Sequence, residues 1–225
     1  MKPEKFPPYH ILGMTERFKC GPGKVTDTIR AEVRSTNFDG RYWDDPKYPG
    51  HGGYYYDGRW KGPAEQLIQH YGLTDNSRVL EIGCGKGYLL YELQCQIPGL
   101  SICGIDISDY AIQHAKKEVR PFLQLRDARD LPFQDLSFDL VIALATVYML
   151  DEQGCRQAIR EMERVGRRKL IQTVTYRNEA EKQQMQSCDV GSVHKSLNEW
   201  EDLYQLLGYT GDRSWFVFVP ENGLI

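Results

Sequence analysis

The 225-residue chain has no window of 18 consecutive apolar residues, and its first stretch, MKPEKFPPYHILGMTERFK, has none of the apolar run of a signal peptide. A soluble, cytoplasmic protein without membrane contacts is therefore predicted. Its six cysteines (20, 84, 95, 103, 155 and 188) make no CxxC pair and no Cys/His cluster, which argues against a disulfide framework and a zinc site and for reduced thiols. Cations are not in excess: 28 Lys plus Arg stand against 31 Asp plus Glu, a net charge of -3, so no global field draws in nucleic acid or anionic lipid. Repeats and low-complexity tracts are absent as well. With 41% hydrophobic and 26% charged residues, the composition excludes disordered and collagenous classes.

What is present divides near residue 62. Arg41 to Trp60 holds Tyr42, Trp43, Tyr48, Tyr54, Tyr55, Tyr56 and Trp60 among glycines, and reads as an irregular aromatic segment. Residues 1–62 are thus predicted to form an N-terminal cap, and 63–225 the principal domain. Beyond Gly62 helical and strand patterns alternate. Strands are predicted at Arg78 to Ile82, Ser101 to Asp106, Phe122 to Leu125, Phe138 to Leu144, Lys169 to Thr175 and Trp215 to Val219. Ser108 starts a helix after the second strand, and Ser196 with Glu199 makes a capping box before Leu197. The expected fold is α/β: a Rossmann-like, doubly wound mixed sheet of about seven strands with helices on both faces.

The most informative segment is Glu81-Ile82-Gly83-Cys84-Gly85-Lys86-Gly87, where the first strand bends into a helix. Bare backbone and a helix amino end at the carboxyl edge of a parallel sheet make a ligand site, and a tight turn is the plain alternative. Dinucleotide folds favour GxGxxG, but here the third glycine's place is Tyr88. No GK(S/T) follows, which excludes a phosphate loop. Asp106 ends the second strand, 19 residues beyond Gly87, where a carboxylate can accept both hydroxyls of a ribose, and Ile107 follows it.

The GxGxG spacing at 83, 85 and 87 resembles motif I of class I S-adenosylmethionine (SAM) methyltransferases. VLEIGCGKG, GIDIS, RDARDLPF and FDLVIAL carry the resemblance across residues 79 to 144. GGYYYDGRW, TVTYRNEAEK and SLNEWEDLYQLLGYTGD extend it to small bacterial enzymes of the methyltransferase-11/25 type, often tied to surface-polysaccharide or small-metabolite pathways. The resemblance implies SAM as cofactor, S-adenosylhomocysteine as product and no metal. It places Glu81, Gly83, Cys84, Gly85, Gly87, Asp106, Ile107, Asp127, Ala128 and Leu144 around the donor, with Asp127 taking the adenine amino group and Leu144 near the methionine end. Tyr54, Tyr56 and Arg59 are the cap's candidates, either closing over the donor or packing the sheet edge.

Tyr148 sits where many relatives carry histidine, and either orients an acceptor or packs beneath the cap. His51 and His194 complete the catalytic candidates. The place after the fourth strand reads ALATVY, without the (N/D/S)PPY of DNA amino methylation or the acid of metal-assisted catechol methylation. Methyl transfer to an oxygen or nitrogen of a small molecule, a sugar or nucleotide-linked sugar among them, is the implied function. A non-catalytic SAM-binding scaffold is the alternative, and an NAD-linked oxidoreductase a distant third. The expected partner is a small-molecule acceptor, the expected state a monomer or homodimer.

Overall fold

A computed structural model describes residues 14–17, 23–50 and 55–220. Among the described residues seven strands form one sheet: β1 (Met14–Arg17), β2 (Arg78–Ile82), β3 (Ser101–Asp106), β4 (Leu123–Leu125), β5 (Phe138–Leu144), β6 (Gly166–Thr175) and β7 (Asp212–Phe218). Their order is β1-β7-β6-β5-β2-β3-β4. Helices α1 (Asp27–Ser35) and α2 (Gly40–Asp44) precede the second strand together with α3 (Lys61–Tyr71). The crossovers carry α4 (Tyr88–Gln96), α5 (Asp109–Gln113), α6 (Glu152–Val165), α7 (Glu179–Cys188) and α8 (Leu197–Leu207).

The doubly wound α/β architecture is as expected, with one correction. Among the described residues every strand pair is parallel, so the sheet they form is not mixed. The cause lies in the last connection: α7 and α8 return the chain to the starting end of the sheet before β7, as a crossover must, where a hairpin would have reversed it. Six of the strands come from residues 78–218; the seventh, β1, comes from the N-terminal region and pairs with β7.

Side chains of the central strands alternate between two cores, as a two-residue period requires. Leu80, Ile82, Val141, Ala143 and Ile171 face α6, α7 and α8, whose contributions include Ile159, Met162, Met185 and Trp200. Val79, Leu140, Ile142 and Leu170 face α3 and α4, represented by Leu67, Leu89, Leu90 and Leu93. A third, smaller cluster joins Val25, Val33, Tyr42 and Trp43 of the cap region to Ala111 and Val190.

The six expected strands are all found; β4 starts one residue late, after a 3₁₀ turn at Arg120–Phe122, while β6 and β7 each start three residues earlier than predicted. The cap is more regular than its composition suggests. Thr26 and Asp39 accept hydrogen bonds from Ile29 and Arg41 amides and so start α1 and α2. The cysteine expectation is corrected in one place: Cys84, Cys95, Cys103 and Cys155 are free, but Cys188 is disulfide-bonded.

Candidate functional site

In the sheet order, β2 lies beside β5 and the chain winds outward from that point in both directions, which opens a crevice at the carboxyl ends of the strands. A cavity of about 440 Å³ fills it. The walls come from the ends of β2, β3, β4 and β5 and, from above, from the cap residues Arg34, Asn37, Phe38, Tyr42 and Trp43.

The glycine bend is shaped by its neighbours. Gly83, Gly85 and Gly87 all have positive φ, at 71°, 53° and 72°. A Cβ on Gly83 would stand 2.2 Å from Thr146 Oγ1, and one on Gly85 would stand 2.7 Å from Trp43 Cη2. The first contact brings the end of β5 against the bend, the second seats the cap on it. Gly87 lies behind the wall and starts α4; its missing side chain leaves room for Val119.

Asp106 is buried at the tip of β3, where its carboxylate accepts from the amides of Gly85 and Ser108, both at 2.8 Å. Burial pushes its carboxyl up, while those amides pull the other way. Glu81 is also buried, its Oε2 has no hydrogen-bond partner among the described residues, and burial followed by the neighbouring Asp106 raises its carboxyl well above the carboxylate range. An unsatisfied buried carboxylate oxygen on a cavity wall suits a ligand ammonium. Asp127 is held below its usual range by hydrogen bonds from Arg129, whose Nε lies 2.9 Å from Asp127 Oδ1. Around them Cys84, Ile107, Ala128 and Leu144 complete the wall.

The cap is fastened over this floor. Trp43 Nε1 donates to Ser108 Oγ at 2.9 Å, and that hydroxyl donates to Phe38 O at 2.6 Å. Asp44 accepts from Lys86 Nζ at 2.5 Å and from Tyr110 at 2.8 Å. Asn37 and Phe38, which link α1 to α2, both hold positive φ (48° and 57°), and Ala145 at the end of β5 does too (53°). Three left-handed non-glycine residues on one cavity wall are an uncommon concentration of backbone strain.

Other sequence candidates sit elsewhere. After Ala145 the 3₁₀ turn Val147–Met149 sends Val147 and Tyr148 into the core and leaves Thr146 and Met149 on the wall. Tyr148 OH donates to Asp189 Oδ1 at 3.2 Å, and His194 Nε2 meets Asp189 Oδ2 at 2.8 Å; neither side chain lines the cavity. Tyr56 donates to Glu92 at 2.6 Å and carries the Lys116 ammonium 3.6 Å above its ring. Arg59 pairs with Asp57 at 2.8 Å. Both are off the cavity wall because these local partners hold them against α4 and the 57–59 turn. His51 and Tyr54 lie outside the described residues.

Several wall residues were not singled out from the sequence. Trp43 was visible only as one aromatic among many, and Lys86 only as the residue between two glycines. Thr146, Arg34, Asn37 and Phe38 carry no local signal; tertiary packing alone brings them to the wall.

A parallel doubly wound sheet with a glycine bend, two acidic strand tips and a capped crevice is a fold that the chain shares with solved methyltransferases. Residues 79–169 match the family described as a methyltransferase domain. The O-methyltransferase cnsE of Penicillium expansum is 30% identical over 141 residues, which are 53% of this chain and 51% of that protein. Among solved structures, the YcgJ protein of Bacillus subtilis superposes with a TM-score of 0.52 at 20% identity, covering 65% of this chain and 67% of its own. A Haemonchus contortus phosphoethanolamine N-methyltransferase in complex with phosphomonomethylethanolamine and S-adenosylhomocysteine gives 0.52 at 19% identity, over 65% of this chain and 36% of its own. The chain spans about half the length of the curated relatives it matches.

Proposed function

We propose that the protein is a SAM-dependent methyltransferase acting on an oxygen or nitrogen of a small molecule, a sugar or nucleotide-linked sugar among the candidates. The observation that carries the reading is the convergence of the glycine bend, Asp106, Asp127 and the unpartnered Glu81 Oε2 on one capped cavity. Bound SAM supplies a methyl group on a sulfonium. In this reading Asp106 accepts the ribose hydroxyls with the lone pairs left over from the Gly85 and Ser108 amides. Glu81 receives the amino-acid ammonium, which stabilises its ionised form. Asp127 and Ala128 hold the adenine edge, and Ile107 packs on its face.

The cap, residues 23–50, has the geometry of a lid: Trp43 and Phe38 shield the floor from water, and fixing two reactants in a dry site accounts for roughly 7–11 kcal/mol of a barrier when their geometry is near attack. A second reading, a SAM-binding scaffold without chemistry, is favoured by one observation: Tyr148 and His194 are both committed to Asp189, away from the wall. Incubating purified protein with methyl-deuterated SAM and a metabolite extract separates the two. A product bearing a three-dalton isotopic partner, with S-adenosylhomocysteine formed alongside, supports the enzyme; tight SAM binding with neither supports the scaffold.

A further inference from the structure

Four cations line the cavity: Arg34, Lys86, Arg126 and Arg129. Two are committed to carboxylates, Lys86 to Asp44 and Arg129 to Asp127. Arg126 follows β4, where its amide donates to Asp106 O at 2.9 Å, and so belongs to the Asp106–Asp127 end of the crevice. Arg34 is in the last turn of α1, and among the described residues no carboxylate pairs with it.

Its position is fixed all the same. Arg34 Nη1 donates to Ser192 Oγ at 2.7 Å, and that hydroxyl donates onward to Met149 O at 3.0 Å. The amide of Ser192 is held by Tyr148 O at 2.9 Å. The guanidinium is thereby anchored beside the turn after β5 through one of its five N–H groups, and among the described residues the others have no hydrogen-bond partner. A basic residue in the last turn of α1 suits the helix dipole, but that role is satisfied wherever the guanidinium points. Phe38, Met149 and Leu150 provide apolar wall next to it, and Asp151, the acid on this stretch, spends Oδ1 on the Gly154 amide as the cap of α6.

We propose that Arg34 reads an anionic group on the acceptor, and hence that the acceptor is a small acid, a carboxylate or a phosphate monoester, with an apolar body lying along Phe38 and Met149. The proposal rests on the methyltransferase reading above and deepens it to a substrate class. Guanidinium geometry matches both anions bidentately, so the probes must tell them apart.

The test is calorimetric titration of the full chain, saturated with S-adenosylhomocysteine and also without it, using succinate, inorganic phosphate and the neutral succinamide. Succinate or phosphate is expected to bind at least tenfold more tightly than succinamide, the better of the two naming the anion. Arg34→Gln is expected to erase that preference and Arg34→Lys to keep part of it, while affinity for S-adenosylhomocysteine stays within twofold in both variants. Equal binding of charged and neutral probes, no binding of any, or a preference retained in Arg34→Gln would overturn the proposal. So would a tenfold loss of S-adenosylhomocysteine affinity in that variant, which would make Arg34 the reader of the donor's own carboxylate. If S-adenosylhomocysteine itself gives no heat with the unaltered protein, the methyltransferase reading fails, and the titrations without it judge Arg34 by the same criteria.

Discussion

A single missing Cβ does two jobs at Gly85. Its φ of +53° is a left-handed conformation that costs a side-chain-bearing residue about 1–2 kcal/mol, and its added carbon would stand 2.7 Å from Trp43. Overpacking of that kind costs roughly 1–3 kcal/mol more. Gly85→Ala is therefore expected to lose about 2–5 kcal/mol in urea melts and to unseat the cap. In a Trp43→Phe background, whose smaller ring lacks the clashing atoms, only the backbone part should remain; an undiminished loss there would show that the clash is not the cause. At Asp106 the expectation concerns ligand affinity. Asp106→Ala removes hydrogen bonds to a charged group, worth about 1.5–3 kcal/mol, so S-adenosylhomocysteine affinity by calorimetry should fall roughly ten- to hundredfold. An unchanged dissociation constant would remove Asp106 from the site. Both positions were legible in the sequence because backbone need and an acid at the tip of an apolar strand leave local marks. Thr146 left none: what places it on the wall is the absent side chain of Gly83, more than sixty positions earlier.

Among the elements, α2 decides whether the crevice is covered. Its last residue, Asp44, ties it to Lys86 and Tyr110. Partial burial pushes the Asp44 carboxyl up, and the hydrogen bonds from Lys86 and Tyr110 outweigh it, so the net shift is downward. A depressed folded pKa means that the tie is present above the ordinary carboxylate value of about 3.9 and is lost as pH falls through the lower folded value. Hydrogen exchange of α2 is thus expected to stay slow and flat from neutral pH to about 5, once intrinsic rates are divided out, and to quicken only below about 4. Asp44→Asn should show the faster exchange at neutral pH as well; a variant as protected as the unaltered protein would mean that Trp43 and Ser108 hold the lid alone.

The same scale explains which elements could be read in advance. Buried parallel strands are continuous apolar runs, and β2, β3 and β5 accordingly match their predicted limits at both ends. Helix α1 has Val33 as its one buried residue, and α7 buries only Glu181, Met185 and Cys188, so neither has an apolar stripe to announce it. Strand β1 is four residues whose partner, β7, lies about two hundred positions away.

For the whole molecule, the consequence is that one cavity joins parts that folding brings together: the ends of β2, β3, β4 and β5 below and the cap above. A compound that fits this crevice binds the folded chain and not the unfolded one, and stabilises it by RT ln(1 + [L]/Kd), about 2.7 kcal/mol at a hundredfold excess over Kd. For a chain of 225 residues, at roughly 2–4 °C per kcal/mol, S-adenosylhomocysteine at that excess should raise the melting temperature by about 5–11 °C. NAD at the same concentration is expected to leave it nearly unchanged, since Tyr88 occupies the place where a pyrophosphate-binding turn needs its third glycine. Because the cap closes on the same cavity, the stabilised protein should also show slower exchange in α1 and α2, far from the glycine bend in sequence. A melting shift without that protection would mean that the donor binds the sheet edge and leaves the lid uninvolved; a larger shift with NAD would overturn the assignment of the crevice to an adenosyl sulfonium.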